Sequence, residues 1–257
     1  MGDHEENNAP SSPACSMHEF ADELLPRPRG PGANWPAVQA FRKDKRVELL
    51  ERRRTVDFDE RKRYASELTE RLLAVVDLRR FGTLGFYWPI RGELDLRAIA
   101  QRHLAEGGAA ALPVVVAKNE PVEFWRWETG SAMQRGFWNI PVPLERRAVT
   151  PDALLIPLVG YDSAGYRLGY GGGFYDRTLA SLAPRPFCIG VGYDDAALET
   201  IHPQPHDIPV DFVVTERGVY RRDAESLRFL DDTASLSSPV CYAPEIAPDY
   251  FGGPRRS

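Results

Sequence analysis

The sequence predicts an α/β fold, a single domain with a mostly parallel twisted sheet covered by helices on both faces. Three observations carry that expectation. Six short apolar runs alternate with helix-length segments, the pattern of a parallel sheet buried from both sides. Two charged segments with helical character precede the first of those runs. The chain has 257 residues, 43% hydrophobic and 27% charged, which suits one core with tails.

Taken in order, residues 1–34 are rich in Pro, Ser, Asn and acids, and Pro26, Pro28 and Pro31 stand close together. Such a segment buries little apolar surface, so a disordered N-terminal tail is expected. A first helix is expected over 37–54. A second starts near Asp59 and places Tyr64, Leu68, Leu72 and Val75 on one apolar stripe. Strands are expected over 83–88, 112–117, 122–127, 153–159, 187–193 and 210–215, with helices over 95–106, 176–183 and 196–201. The domain is therefore expected to span 35–220. Residues 221–257 form a C-terminal extension expected to be largely disordered, in which Leu227, Leu230 and Leu236 would dock a short segment.

The formal net charge of −5 is uneven. Residues 1–34 hold six acids against two arginines, whereas 35–220 balance 25 acids with 25 bases. There is no basic stripe with interleaved aromatics, so nucleic acid is not an expected partner. Cys15, Cys188 and Cys241 are few and far apart, which argues against a disulfide framework or a zinc site and suits a reducing cytosol. Cys188 lies in an apolar run and reads as a buried small hydrophobe. No apolar stretch reaches the roughly 18–20 residues that span a membrane, and His4 to Asn8 stand where a signal peptide would begin. A cytoplasmic protein without a membrane partner is expected.

The most informative stretch runs from Gly165 to Arg177, where five of thirteen residues are glycine. Such a loop adopts positive φ easily and exposes backbone N–H groups, which form an anion-binding concavity. The flanking arginines add charge and planar donors, and an Asp just beyond can share a magnesium ion with phosphate oxygens. No Gly-Lys-Ser/Thr closes the loop, and Phe174 stands where a dinucleotide fingerprint needs its third glycine. The residues alone indicate an anion site for a nucleotide, most simply ATP. The loop follows the strand expected at 153–159 and precedes a helix, beyond the carboxyl end of the sheet where ligands of such folds bind.

Gly160-Tyr161-Asp162-Ser163-Ala164-Gly165, then Arg167-Leu168-Gly169 and Gly171-Gly172-Gly173-Phe174-Tyr175-Asp176-Arg177, resembles the signature of the 5-formyltetrahydrofolate cyclo-ligase family, also called methenyltetrahydrofolate synthetases. Similar blocks recur at 82–93, at Ala111-Leu112-Pro113-Val114, at Trp138-Asn139-Ile140-Pro141 and at His206-Asp207-Ile208-Pro209-Val210-Asp211, so the resemblance covers about 41–220. It implies ATP and Mg2+ as cofactors and 5-formyltetrahydrofolate as substrate, and leaves open whether that substrate carries a polyglutamate tail, which basic residues at the mouth could receive.

The resemblance also implies roles. Arg42 and Arg46, one helical turn apart, match two basic residues that reach the nucleotide, although Lys43 and Lys45 leave the register open by one. Gly165, Leu168, Gly169, Gly171, Gly172 and Gly173 belong to the nucleotide loop, with Tyr170 and Phe174 packed around the ligands. Arg167 is the leading phosphate ligand and, with Tyr175, the catalytic choice. Some family members carry Arg and Lys where this chain has Tyr170 and Gly172, so binding here leans on backbone, metal and the remaining arginines. Asp176 and Asp207 match metal positions. Trp88, Glu93 and Trp138 match substrate positions, with Glu93 accepting hydrogen bonds from pterin N–H groups and Trp138 offering a flat platform. On the residues alone, Glu93 reads as a helix-start acid, Asp176 as an N-cap and Trp88 as core.

The implied reaction joins 5-formyltetrahydrofolate and ATP to give 5,10-methenyltetrahydrofolate, ADP and phosphate. An N-formyl oxygen is a poor leaving group until it is phosphorylated, after which N10 attacks the activated carbon and expels phosphate. Two other readings stay open: a same-fold ATP-dependent enzyme acting on a different substrate, and a nucleotide- or folate-binding protein without turnover.

Overall fold

The computed structural model describes residues 35–230. The tail expected over 1–34, Cys15, Cys241 and the extension beyond residue 230 lie outside the described residues. Two helices open the domain: α1 (Trp35–Thr55) and α2 (Phe58–Val75). Asp57 caps α2 by accepting from the Glu60 N–H at 2.8 Å, and Asp59 and Glu60 complement the positive helix end. On α2 the expected stripe is the inner face, with Leu68 and Leu72 fully buried and Tyr64 and Val75 packed beside them.

The remaining elements follow as β1 (Thr83–Gly85), α3 (Arg97–Ala105), β2 (Ala109–Val114), β3 (Glu123–Trp127), β4 (Met133–Arg135), β5 (Pro141–Pro143), β6 (Ala148–Val149) and β7 (Ala153–Pro157). After them come β8 (Gly160–Asp162), β9 (Arg167–Leu168), α4 (Phe174–Ser181), β10 (Phe187–Val191), β11 (Ala197–Leu198), β12 (Phe212–Val214), β13 (Val219–Asp223) and β14 (Ser226–Leu230). Nine strands form the main sheet in the order β14-β13-β12-β10-β7-β1-β2-β3-β6. Its centre, β12-β10-β7-β1-β2, is parallel throughout. Both flanks are antiparallel.

Strand alternation divides the core into two layers. From β7, Ala153 and Leu155 join Phe187, Ile189, Phe212 and Val214 under the buried faces of α1, α2 and α3. Leu154 and Ile156 point the other way, with Cys188, Val213 and Leu179 of α4. Helices therefore cover both faces, the arrangement that makes continuous apolar runs such as 153–156 and 187–191 intelligible. Cys188 is a fully buried free thiol, as expected, and burial pushes its pKa up to about 12.

Three expectations need correction. Residues 196–201 do not form a helix; a short 3-10 turn at Asp194–Ala196 leads into β11, which pairs with β8 in a small three-stranded sheet. The domain does not stop at 220, because β13 runs through that point and β14 returns antiparallel to it. Leu227 packs against the core there and Leu230 ends the edge strand. Asp176 is not an N-cap: Gly173, in the left-handed region at φ 64°, precedes α4 and Asp176 sits inside the first turn.

Candidate active site

The chain crosses from β1 to β2 in one direction and from β7 through β10 to β12 in the other, so the order reverses between β1 and β7. A crevice opens beyond the carboxyl ends of strands at such a switch point. Here it is a cleft of about 450 Å³, with Tyr87 and Trp88 leaving β1, Pro113 and Val115 at the end of β2, and Pro157 closing β7.

Of the residues singled out above, Arg42, Arg46, Trp88, Glu93, Trp138, Arg167, Leu168, Gly169, Tyr170, Gly171, Gly172, Gly173, Phe174, Tyr175, Asp176 and Asp207 all line this cleft. Gly165 does not. It sits at φ +80° in the turn joining β8 to β9, where its N–H donates to Asp162 O at 3.0 Å. Asp162 organises that turn, accepting from the N–H groups of Ala164 and Tyr166 at 3.0 Å each. Gly165 is thus a hairpin residue held away from any ligand in the cleft.

The glycine run leaves β9 and enters α4. Gly171 and Gly173 have φ of 98° and 64°, where a side chain is strained. Among the described residues, the N–H groups of Gly169, Gly171, Gly172 and Gly173 take no protein acceptor. Two arginines grip the loop by its carbonyls: Arg46 Nε donates to Gly169 O at 2.8 Å, and Arg177 Nη2 to Gly172 O at 2.8 Å. Arg177 belongs to the signature, yet the sequence assigned it no individual role. Its guanidinium stacks on Phe174 at 4.9 Å and its Nε is buried without a partner.

Two acid–arginine pairs stand beside the loop. Arg167 donates to Asp176 Oδ1 at 2.7 Å and to Ile208 O, and the Ile208 N–H donates to the same carboxylate oxygen at 3.0 Å. Arg42 donates to Asp207 Oδ2 at 2.6 Å and Oδ1 at 3.4 Å, and to the carbonyls of Ile201 and His202 at 2.8 and 3.0 Å. Asp207 Oδ2 also accepts from the Gln204 N–H at 2.7 Å.

These contacts decide which carboxylate suits magnesium. Asp176 Oδ2 takes no protein donor among the described residues, and the half-buried Asp176 side chain is part of the cleft lining. Magnesium is commonly held by one or two carboxylates plus phosphate oxygens and water, and Asp176 fits that use. Asp207 does not fit it in this arrangement, because the Arg42 guanidinium already engages both of its oxygens. Asp207 here anchors α1 to the 201–207 loop, and a metal role for it would require Arg42 to release one of its oxygens.

The other half of the cleft is apolar and aromatic. Trp138 lies on a short turn at φ 51°, edge-on to Phe174 with ring centroids 5.4 Å apart. It is partly exposed, unlike Trp125 and Trp127, which pack into the core. Trp88 carries the Arg97 guanidinium 4.8 Å from its ring centroid. Glu93 is not a helix-start acid: it closes the turn before α3, its N–H donating to Ile90 O at 2.9 Å and its Oε2 accepting from the Ile90 N–H at 2.9 Å.

Glu93 is only 6% exposed. Burial raises its pKa to about 7 against the opposing pull of the Ile90 N–H, Arg53, the Tyr170 hydroxyl and Arg91. Burial also holds the hydroxyls of Tyr175 and Tyr170 well above their usual value, with the Glu93 carboxylate adding to the effect. Both remain hydrogen-bond donors at neutral pH.

Arg53, behind Glu93, escaped the sequence reading. It lies on the buried face of α1 with Arg42, Leu49 and Leu50, donates to Leu158 O and places its guanidinium 5.6 Å from the Tyr193 ring centroid. The signal was present in the spacing: 42, 46, 49 and 53 fall on one helical face.

The family model described as the 5-formyltetrahydrofolate cyclo-ligase family matches residues 38–216. A 5-formyltetrahydrofolate cyclo-ligase of Mycolicibacterium smegmatis is 32% identical over 185 residues, covering 68% of this chain and 93% of its own. The Escherichia coli K12 protein of the same name is 29% identical over 183 residues, 67% of this chain and 98% of its own. Among solved structures, the Aquifex aeolicus 5,10-methenyltetrahydrofolate synthetase superposes with a TM-score of 0.63 at 30% identity, over 73% of this chain and 96% of that one.

Proposed function

The chain belongs to the 5-formyltetrahydrofolate cyclo-ligase family, and from that premise we propose that it converts 5-formyltetrahydrofolate to 5,10-methenyltetrahydrofolate, using ATP and Mg2+ and releasing ADP and phosphate. One observation carries the finer part of this reading. A single cleft joins a glycine loop with uncommitted N–H groups to an aromatic half containing a buried carboxylate. The first half suits a polyphosphate and the second a flat, N–H-rich ring, so the two reactants would meet at their boundary.

Under this reading the N–H groups of Gly169, Gly171, Gly172 and Gly173, with Arg46 and Arg167, receive the phosphates. Asp176 Oδ2 would hold magnesium, which supplies charge neutralisation on phosphate oxygens. Trp88 and Trp138 flank the pterin and its aryl neighbour, and Glu93 accepts from pterin N–H groups. Arg167 and the Tyr175 hydroxyl, kept protonated by burial, act at the boundary. They orient the formyl oxygen toward the γ-phosphorus and offset charge developing on the transferred group. Ring closure by N10 then needs no protein nucleophile. A cytoplasmic setting suits the free buried thiol of Cys188.

The test is absorbance of the methenyl product with purified protein, 5-formyltetrahydrofolate, Mg2+ and ATP, and with ATP omitted. ATP-dependent product that is strongly reduced in Arg167→Ala is expected. Product formed equally without ATP, or no product from protein that still binds ATP, would refute the reading.

A further inference from the structure

Tyr170 belongs to the glycine run by sequence, yet its hydroxyl reaches into the opposite half of the cleft. It donates to Glu93 Oε1 at 2.8 Å. The same hydroxyl accepts from Arg53 Nη1 at 3.4 Å, and the Arg91 guanidinium lies 5.7 Å from the Tyr170 ring centroid. Since Ile90 N–H holds Oε2, Tyr170 is the group that fixes the second oxygen of Glu93. Arg53 is tied in turn to Leu158 O and the Tyr193 ring, and the Tyr193 hydroxyl donates to Gly92 O at 2.7 Å, next to Glu93.

We propose that Tyr170 is a positioning residue for the substrate half, orienting the Glu93 carboxylate through its hydroxyl and so tying the glycine loop to the pterin carboxylate. The inference rests on the reading of Glu93 as the pterin acceptor. A carboxylate with one oxygen fixed by backbone and the other by a phenol presents its remaining lone pairs in one direction. Without the phenol, Oε1 keeps only charges at longer range, and Glu93 turns within its buried pocket. The groups facing Glu93 are Arg53 from α1, Arg91 from its own turn, Tyr87 after β1, and Tyr170 and Tyr175 from the glycine run and α4. Of these, Tyr170 is the one that pairs directly with the carboxylate on the ligand loop, and its bond favours the ionised form.

Tyr170→Phe keeps the ring and removes the hydroxyl. The expected result is a KM for 5-formyltetrahydrofolate raised by about tenfold, with the KM for ATP changed by less than about twofold. The acid limb of the substrate pH profile should move upward by roughly half a pH unit or more. A carboxyl 13C NMR titration of Glu93 in the free protein should show the same upward movement, independently of turnover. Glu93→Gln combined with Tyr170→Phe should cost no more than Glu93→Gln alone. A raised KM for ATP with an unchanged KM for the folate, an unmoved Glu93 titration, or additive losses in the double variant would overturn the proposal. An unaltered folate KM in Glu93→Gln alone would instead sink the pterin-acceptor reading, and the NMR titration would still decide whether Tyr170 controls Glu93.

Discussion

Glu93→Gln replaces a buried carboxylate whose pKa stands near 7, against 4.5 for the group in solvent, by an amide that never ionises. In the folded protein Glu93 therefore holds its proton over a pH range where the unfolded chain has released it. The unfolded state binds fewer protons between those values, so stability falls as pH rises from 4.5 through 7. The displacement amounts to about 3 kcal/mol once Glu93 is fully ionised. The amide feels none of it, and every other group titrates alike in both proteins. Denaturation followed from about pH 4.5 to about pH 8.5 at fixed salt should thus show the wild type losing about 3 kcal/mol relative to Glu93→Gln. For a domain of this size that is a melting-temperature difference changing by roughly 6–12 °C. The substitution also disturbs the Ile90 and Tyr170 hydrogen bonds, but that cost is the same at every pH. A difference between the two proteins that does not vary with pH, or a wild type that gains on the variant as pH rises, would refute the reasoning.

Arg42→Ala strips Asp207 of both guanidinium contacts and leaves the carbonyls of Ile201 and His202 without their donor; unfolding in urea should show a loss of about 3–5 kcal/mol. Gly85→Ala would place a Cβ 2.4 Å from Leu154 Cδ2 at the centre of the sheet. Its melting curve should report about 1–3 kcal/mol of overpacking, with the KM for ATP unchanged because the glycine loop is not touched.

The fold was legible where apolar pattern and burial coincide. The parallel strands around 153–157 and 187–191 are buried on both faces, so composition alone marks them. Strands of two or three residues, such as β8, β9 and β11, are too short for a period to register; the first two read as loop and β11 as part of a helix. The hairpin β13–β14 hides for another reason. Its residues are mostly half-buried or exposed and include three arginines, which resemble a charged tail until the partner strands are known.

The site was legible as a list of residues, since the signature brings its glycines, Arg167 and Asp176 together in one short run. Its wiring was not. Nothing in the spacing of Arg42 and Asp207, or of Tyr170 and Glu93, announces that they pair across 165 and 77 positions. The same blindness hid the Arg42 pairing of Asp207 and the place of Gly165 in the turn between β8 and β9.

Arg42 also has a bearing on how the protein comes into being. Its partners at 201, 202 and 207 are among the last parts of the fold to leave a ribosome, and Arg42 is among the first. Until that segment is made, Arg42 of the opening helix donates to water rather than to its partners in the finished fold. Long-range closure of this kind is slow to form. The ligand loop is gripped by Arg46 from the same helix, so one helix reaches both the loop at 169 and the late segment at 201–207. A chain that stopped before residue 201 would lack the segment that closes the cleft beside Arg42, so the finished cleft needs both the opening helix and that late segment.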